Sequence, residues 1–166
     1  MIWLFILERK LFMAWTKLRF GKHKGKSLPQ VLFADPDWFF WAIDESVFRG
    51  KIEKEAQEIY RKSRSIRIPQ KRNEKLVAEY AIHPPTKKFG NMEIVPASRP
   101  HHEGSTSTYR SKVIDLGIPR KIAAYDKFGC KLLISNVKYY LFGNSSLRMT
   151  EKKCEDFFDN DENFDL

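Results

Sequence analysis

The spacing of apolar residues predicts a short strand and a short helix in the first part of the chain. Residues 15–20 alternate roughly between apolar and polar, which is typical of a strand. Leu28, Val31 and Leu32 follow the i, i+3, i+4 spacing of one helix face. Between them lies the segment FGKHKGKS, residues 20–27, which we call the glycine–lysine loop.

Asp35, Pro36 and Asp37 mark the start of a second helix. Asp35 can accept hydrogen bonds from the first-turn amides, and Pro36 has the backbone angle that suits the first helical position. Asp37 would lie at the positive end of the helix dipole. We expect this helix to run through WFFWAIDESVF and to end at Gly50. A further helix is expected after Gly50, with one apolar face made of Ile52, Ala56, Ile59 and Tyr60.

The second half of the chain predicts antiparallel strands followed by a helix. Residues 75–98 read as two strands around a turn between Pro84 and Asn91, and residues 109–116 read as a third strand. A helical stripe then ends at Gly143. Its members are Cys130, Leu133, Ile134, Val137 and Leu141. The predicted class is α+β, with a small helical and loop module at residues 15–64 and a region of antiparallel strands and a C-terminal helix at residues 65–148.

Two segments flank these regions. Residues 1–14 form an N-terminal extension, read as a short helix or a ragged end, whose apolar run at residues 2–7 is too short to span a bilayer. Its positive charges follow the apolar run, unlike those of a signal peptide. Met13 is an alternative start of translation, because the ordered pattern begins directly after it. Residues 149–166 are acidic without an apolar period, so we expect a flexible tail.

Charge is distributed unevenly along the 166 residues. The whole chain carries +9, whereas residues 151–166 hold seven acids and two lysines, or −5, which leaves +14 on residues 1–150. A basic body suits a polyanionic partner. The two cysteines, Cys130 and Cys154, match neither a metal motif nor a disulfide framework. We therefore expect a cytoplasmic protein of bacterial or phage type, with no membrane partner.

The glycine–lysine loop resembles a nucleotide-binding loop only superficially. Three residues separate Gly21 from Gly25, whereas a Walker A motif requires four between its glycines. If the loop is extended, three lysines project to one side and could contact a nucleic-acid backbone, while His23 points away. These lysines are Lys22, Lys24 and Lys26. The alternative is a solvated lysine-rich turn.

The stretch LRFGKHKGKSLPQVLFADPDWFFWAI resembles the C-terminal accessory domain of exodeoxyribonuclease X and its relatives. The shared pattern is F-G-K-x-K-G-K, a short apolar helix, an acid–proline turn and an aromatic-rich helix, and it covers residues 15–60. The resemblance implies an accessory role on nucleic acid. In that family the catalytic carboxylates lie in a domain before this module, and here the preceding residues contain one acid, Glu8. The resemblance therefore does not imply nuclease activity.

The run WFFW at residues 38–41 cannot face a single core. Four successive helical residues sweep about 300°, whereas a core-facing stripe covers little more than a third of the circle. At least one ring should lie between modules, at a partner interface or near solvent. Rings beside lysines are platforms for unpaired bases, and Trp38, Trp41 and Phe89 are the candidates. The alternative is that the second half of the chain covers the extra ring.

The acidic tail carries Phe157, Phe158 and Phe164 and resembles the tips of single-stranded DNA-binding proteins. Those tips dock partners and compete with DNA for a basic groove, and a tethered acidic segment would do so at high effective concentration. The alternative is a merely solvating tail. His101 and His102 lack the spacing of metal ligands, so we expect a surface loop, no metal and no cofactor.

These observations favour a non-catalytic accessory protein that binds DNA or RNA, with single-stranded DNA as one option, in replication, repair or recombination. The basic surface would extend to Lys71, Arg72, Lys87 and Lys88. One alternative is a protein-interaction module, whose sign is exposed aromatics far from a continuous basic surface. The other is a cryptic metal-dependent nuclease, whose sign is three or more converging acids. The candidate acids are Glu93, Glu103, Asp115 and Asp126.

Overall fold

A computed structural model describes residues 14–102, 104 and 106–166, so the predictions for residues 2–7 and the acid Glu103 lie outside the described residues. Over these residues the fold is α+β, as predicted. The helices are α1 (Leu28–Ala34), α2 (Pro36–Asp44), α3 (Lys51–Ser63), α4 (Ile118–Ile122), α5 (Lys127–Phe142) and α6 (Glu151–Asp159), followed by a 3₁₀ turn (Asp161–Asn163). The strands are β1 (Ile66–Arg67), β2 (Leu76–His83), β3 (Lys88–Pro96), β4 (Ser107–Ser111) and β5 (Val113–Ile114).

The strands form two antiparallel sheets. A three-stranded sheet has the order β3-β2-β4, with Tyr80 opposite Met92 on one side and Tyr109 on the other. Strands β1 and β5 form a separate pair. Helix α5 packs against β3, where Asn136 Oδ1 accepts a hydrogen bond from the Met92 amide at 3.1 Å. The predicted strand–turn–strand unit is confirmed. The third strand, predicted over residues 109–116, is divided at Lys112 into β4 and β5, which belong to different sheets.

The predicted start of α2 at Asp35 is confirmed, and α5 begins with the same kind of cap at Asp126, which the sequence analysis did not identify. The Asp35 carboxylate accepts from the Trp38 amide at 3.3 Å, and the Asp126 carboxylate accepts from the Gly129 amide at 2.8 Å. Gly143 closes α5 with a φ of +73°. The predicted end of α2 is wrong: the helix stops at Asp44, and the chain turns so that Phe48 folds back against Trp38.

The strand predicted at residues 15–20 is also wrong. Its only pairing among the described residues is one bridge between Lys17 and Ser27. The glycine–lysine loop reverses the chain at once, because Leu18 and Gly25 are joined by a backbone hydrogen bond of 2.8 Å. A strand of ordinary length has no room to form before this reversal.

The acidic C-terminal segment is folded, which corrects the prediction of a flexible tail. Thr150 caps α6, and Cys154, Phe157 and Phe158 follow the i, i+3, i+4 spacing of a buried helix face. Phe157, Phe158 and Phe164 are 7%, 0% and 1% exposed, so these rings are not available as a mobile docking tip. Lys62, itself buried, holds the end of α6 through a 2.7 Å hydrogen bond to the Phe158 carbonyl.

One hydrophobic core joins both halves of the chain. Phe33 of α1 contacts Phe157 and Phe158 edge-on, with ring centroids 5.6 and 5.9 Å apart. Ile66 of β1 forms a bridge with Phe164. The C-terminal segment therefore packs against the N-terminal helices and the small sheet together.

Both cysteines are free and buried, as expected for small apolar core residues. Burial raises the pKa of each thiol to about 12, so neither is a reactive thiolate near neutral pH. Within the described residues, no helix combines the length and apolar character needed to cross a bilayer.

Candidate nucleic-acid interface

The glycine–lysine loop is a tight turn and not the extended segment that was expected. Leu18 and Lys26 are joined by a 2.9 Å backbone hydrogen bond, and Gly21 and Gly25 have φ values of +71° and +87°. Glycine adopts this left-handed backbone without steric cost, which explains why both positions are glycine. The expected separation of side chains still holds, because His23 is buried and Lys22, Lys24 and Lys26 are exposed.

His23 anchors the loop to the start of α2. Its Nε2 lies 3.0 Å from Asp35 Oδ2, and its ring meets the edge of Trp38 with centroids 4.9 Å apart. Lys22 Nζ lies 2.7 Å from the same carboxylate oxygen. One buried carboxylate therefore holds two residues of the loop in place. This leaves Lys24 and Lys26 without an ion pair in the described part of the chain.

The pKa values at this anchor follow from burial and pairing. Burial lowers the pKa of His23 more than the hydrogen bond to Asp35 raises it. Burial alone would raise the pKa of Asp35, but hydrogen bonds from Lys22, His23 and the Trp38 amide outweigh it and lower that pKa. Near neutral pH the anchor thus joins a neutral imidazole to a charged carboxylate.

Trp41 is the exposed ring of the WFFW run. Phe39 and Phe40 are buried and Trp38 is half-buried, whereas Trp41 is 43% exposed. Its ring lies against Trp38, with centroids 6.2 Å apart, and Trp38 in turn contacts the loop through His23. One of the four rings thus lies outside the core, as helix geometry predicted; of the places left open it faces solvent, and the second half of the chain does not cover it.

Arg120 partly offsets the charge of two acids on the helix face that carries Trp41. Asp37, Trp41 and Asp44 lie on one face of α2 at i, i+4 and i+7. The Arg120 guanidinium reaches both acids, with Nη1 3.0 Å from Asp37 and Nη2 3.5 Å from Asp44. Trp41 therefore shares its helix face with two carboxylates and one guanidinium, a set whose formal charge is −1.

The start of α2 also contacts the start of α5, which in turn lies beside the β2–β3 turn. Asp37 Oδ1 accepts a hydrogen bond from the Asp126 amide at 3.4 Å. Asp126 in turn lines a cavity shared with His83 and Lys88 of the turn. The lysines of this second area are exposed and form no ion pair in the described residues; they are Lys87, Lys88, Lys127 and Lys131.

Phe89 is buried at 4% exposure, so the prediction that it stacks on bases is wrong. It alternates inward along β3 and joins the core. Phe128 is the exposed ring at this place, with 78% of its surface accessible. Sequence reasoning missed Phe128, although a helical projection reveals it. Cys130, Leu133, Ile134 and Val137 define the buried side of α5, and Phe128 projects from the opposite side.

Lys71 and Arg72 do not belong to this surface. They lie in the turn before β2, whereas Lys87 and Lys88 follow its end. The eight residues of β2 separate the two turns by about 24 Å. The structure thus places the predicted lysines in two groups, Lys22, Lys24 and Lys26 in the loop and Lys87 and Lys88 at the β2–β3 turn. Lys71 and Arg72 belong to neither group.

The acids considered for a nuclease site have separate structural partners. Asp115 pairs with Lys121 at 3.0 Å and accepts from the Gly117 amide at 2.8 Å. Asp126 caps α5, and Glu93 lies 3.4 Å from Arg99. Across residues 14–102, 104 and 106–166, no group of three or more His, Cys, Asp or Glu residues could hold a metal ion.

Comparison with known proteins gives no relative to support or oppose these assignments. No protein-family model, no curated protein and no solved structure matches the chain.

Proposed function

We propose that the protein binds nucleic acid without acting on it, as an accessory factor in DNA replication, repair or recombination. The exposed Trp41, which is linked to the lysine-bearing loop through Trp38 and His23, carries this proposal. An aromatic ring next to unpaired cations is the combination that proteins use to bind nucleic-acid strands, with stacking on the ring and phosphates on the lysines.

Two further observations support the proposal. The loop is rigid at its base, since His23 and Lys22 are both bound to Asp35, so Lys24 and Lys26 are presented from a fixed turn. The net charge of +9 provides a general attraction for a polyanion, although the folded acidic segment offsets part of the basic charge of residues 1–150. The resemblance of residues 15–60 to the exodeoxyribonuclease X accessory domain agrees with this role. We place the protein in a reducing cytoplasm, because both cysteines are free.

The test is a fluorescence-anisotropy titration of labelled oligonucleotides across a salt series. The variant Lys24→Gln/Lys26→Gln removes two charges from the loop, and the control Lys71→Gln/Arg72→Gln removes two charges from the remote turn. If the loop contacts phosphates, the first variant should reduce the salt slope of log K by about 1 to 2 units. The control should leave the slope nearly unchanged, because its two charges lie far from the loop. Since the two variants have the same net charge, any difference between their slopes reports the position of the charges.

Other outcomes would point to the alternatives. Equal slopes for the two variants would mean that charge acts only nonspecifically, and the assignment of the loop would be wrong. Absence of binding at low salt would reject the nucleic-acid function. Magnesium-dependent cleavage of the oligonucleotide would show that the protein is a nuclease.

A second candidate function, a protein-interaction module, is favoured by one observation. Tyr139 and Phe142, at the C-terminal end of α5, are 58% and 37% exposed. These rings lie about three and about four helical turns from Phe128. If oligonucleotides do not bind, replacement of these two rings is the first variant to compare in a search for a protein partner.

A further inference from the structure

We propose that the cavity between the β2–β3 turn and the N-terminus of α5 binds one unstacked nucleobase, and that the protein therefore prefers single-stranded over duplex nucleic acid. This inference rests on the proposed function and names its substrate class. It concerns a different part of the surface from the glycine–lysine loop, so the two can be tested separately.

The cavity has the size and shape of a small ligand site. Its volume is about 350 Å³, at the lower end of the range for ligand pockets. Phe89 and Leu132 are part of its apolar lining, and the exposed ring of Phe128 stands at its edge. A flat aromatic ring that is 78% exposed has no partner within the described residues, and stacking against a base would cover it.

Polar groups in the lining could bind the edge of a base. Asp126 is 3% exposed, and its Oδ2 has no hydrogen-bond partner among the described residues, although Oδ1 accepts from the Gly129 amide. A buried carboxylate oxygen without a donor is unfavourable, and the amino or imino group of a base is a suitable donor. His83 and Thr86, bound to each other at 3.0 Å, provide further polar atoms.

Charge favours a nucleotide over an apolar or cationic ligand. Lys88 lines the cavity. Lys87 precedes it in the β2–β3 turn, and Lys127 and Lys131 lie on α5 directly beside lining residues in the sequence. The N-terminus of the 16-residue helix α5 adds a positive dipole. An aromatic face, a hydrogen-bond acceptor and surrounding cations match the base, the base edge and the phosphate of one nucleotide unit.

This geometry predicts a preference for single strands. In a duplex each base is stacked and paired, so placing one in the cavity requires flipping it out, which costs a few kcal/mol. A single strand presents its bases without that cost. The contact between Asp37 and Asp126 places the cavity next to α2, so that a strand bound at Trp41 could continue toward Phe128.

The test compares Phe128→Ala with Tyr139→Ala, which removes another exposed ring, 58% accessible, about 16 Å further along α5. Anisotropy is measured with an oligothymidylate and with a duplex of the same length. Loss of one stacked base should weaken single-strand binding about fivefold to a hundredfold in Phe128→Ala, with less than about a twofold change for the duplex. Tyr139→Ala should bind both probes like the unmodified protein.

The possible failures are distinguishable. If the unmodified protein binds neither probe, the proposed function fails and this inference fails with it. If it binds but Phe128→Ala and Tyr139→Ala behave alike, the cavity assignment is wrong while the proposed function stands. If an acidic, aromatic peptide binds in a Phe128-dependent way and the oligothymidylate does not depend on Phe128, the cavity is a peptide site and the inference is overturned.

Discussion

At the residue scale, the anchor formed by His23 and Asp35 determines whether the lysine loop keeps its shape. His23 is 7% exposed, and its Nδ1 has no partner among the described residues, while Nε2 meets Asp35. Lys22 and Lys26 lie close enough to disfavour a positive imidazole, in addition to burial. Protonation would therefore place a second charge in the buried turn, where attraction to Asp35 does not offset burial and the nearby lysines.

We predict that acidic pH lowers the free energy of unfolding because His23 becomes protonated. Because the folded pKa of His23 lies below its ordinary value of 6.5, its contribution is fully present above that value and is lost as the pH falls below it. Urea unfolding from about pH 8 to pH 5 should show a declining free energy of unfolding, and His23→Gln should reduce the decline.

His83→Gln is the matched control, because His83 is exposed and bonds only to Thr86 at the surface in the described structure. A decline as steep in His23→Gln as in the unmodified protein would contradict the prediction. The lowered pKa of Asp35 acts in a separate window: its contribution is present above its ordinary value of 3.8 and is lost as the pH falls through its folded pKa.

At the element scale, helix α5 has one buried face, one exposed face and an N-terminal cap that restricts which residue can follow it. One face packs on β3 and the other presents Phe128. The Asp126 carboxylate curls over Gly129, and a Cβ at Gly129 would lie against that carboxylate closer than van der Waals contact allows. The glycine is therefore required by the cap and not by a special backbone angle.

Gly129→Ala should destabilise the protein, contrary to the usual effect of this change within a helix. Alanine normally stabilises a helix by about 1 kcal/mol relative to glycine. Here the displaced cap should cost about 1 to 2 kcal/mol beyond that gain, since both the cap and the packing of Asp126 are disturbed. Ser135→Ala on the same helix should change stability by less than about 0.5 kcal/mol. Chemical denaturation measures both, and a more stable Gly129→Ala variant would contradict this account of the cap.

At the scale of the whole molecule, the C-terminal segment joins the two halves of the chain. Phe158 is completely buried and lies among Phe33, Phe157 and Phe164. The acids around it are held by cations from elsewhere: Lys17 pairs with Glu151, and Lys62 lies 3.1 Å from Asp161. The −5 segment is thus part of the fold and its charge is partly neutralised within it.

Phe158→Ala should lower the free energy of unfolding by about 3 to 5 kcal/mol, because it removes a ring from a closely packed aromatic cluster. Deletion of residues 149–166 should abolish cooperative thermal unfolding altogether. Phe128→Ala, which removes an exposed ring, should change stability by less than about 0.5 kcal/mol. A deletion variant with an unchanged melting transition would restore the interpretation of these residues as a solvating tail.

Local chemistry in the sequence was enough to predict much of the secondary structure. Asp35–Pro36, Gly143 and the strand–turn–strand pattern at residues 75–98 act through neighbours in the chain, so their effect can be predicted without the fold. Helix geometry alone predicted that the four WFFW rings cannot share one core, but not which ring is exposed. The α+β class could be predicted for the same reason.

The site and the C-terminal segment were decided by tertiary contacts. The glycine–lysine loop is joined to α2 by the contacts of His23 with Asp35 and Trp38, and Phe89 is buried because it lies on the inward face of β3. Phe158 is buried because Phe33, which lies 125 positions earlier in the sequence, provides its partner surface. Spacing and composition report what a residue can do locally, whereas which residue faces solvent depends on partners that are distant in the chain.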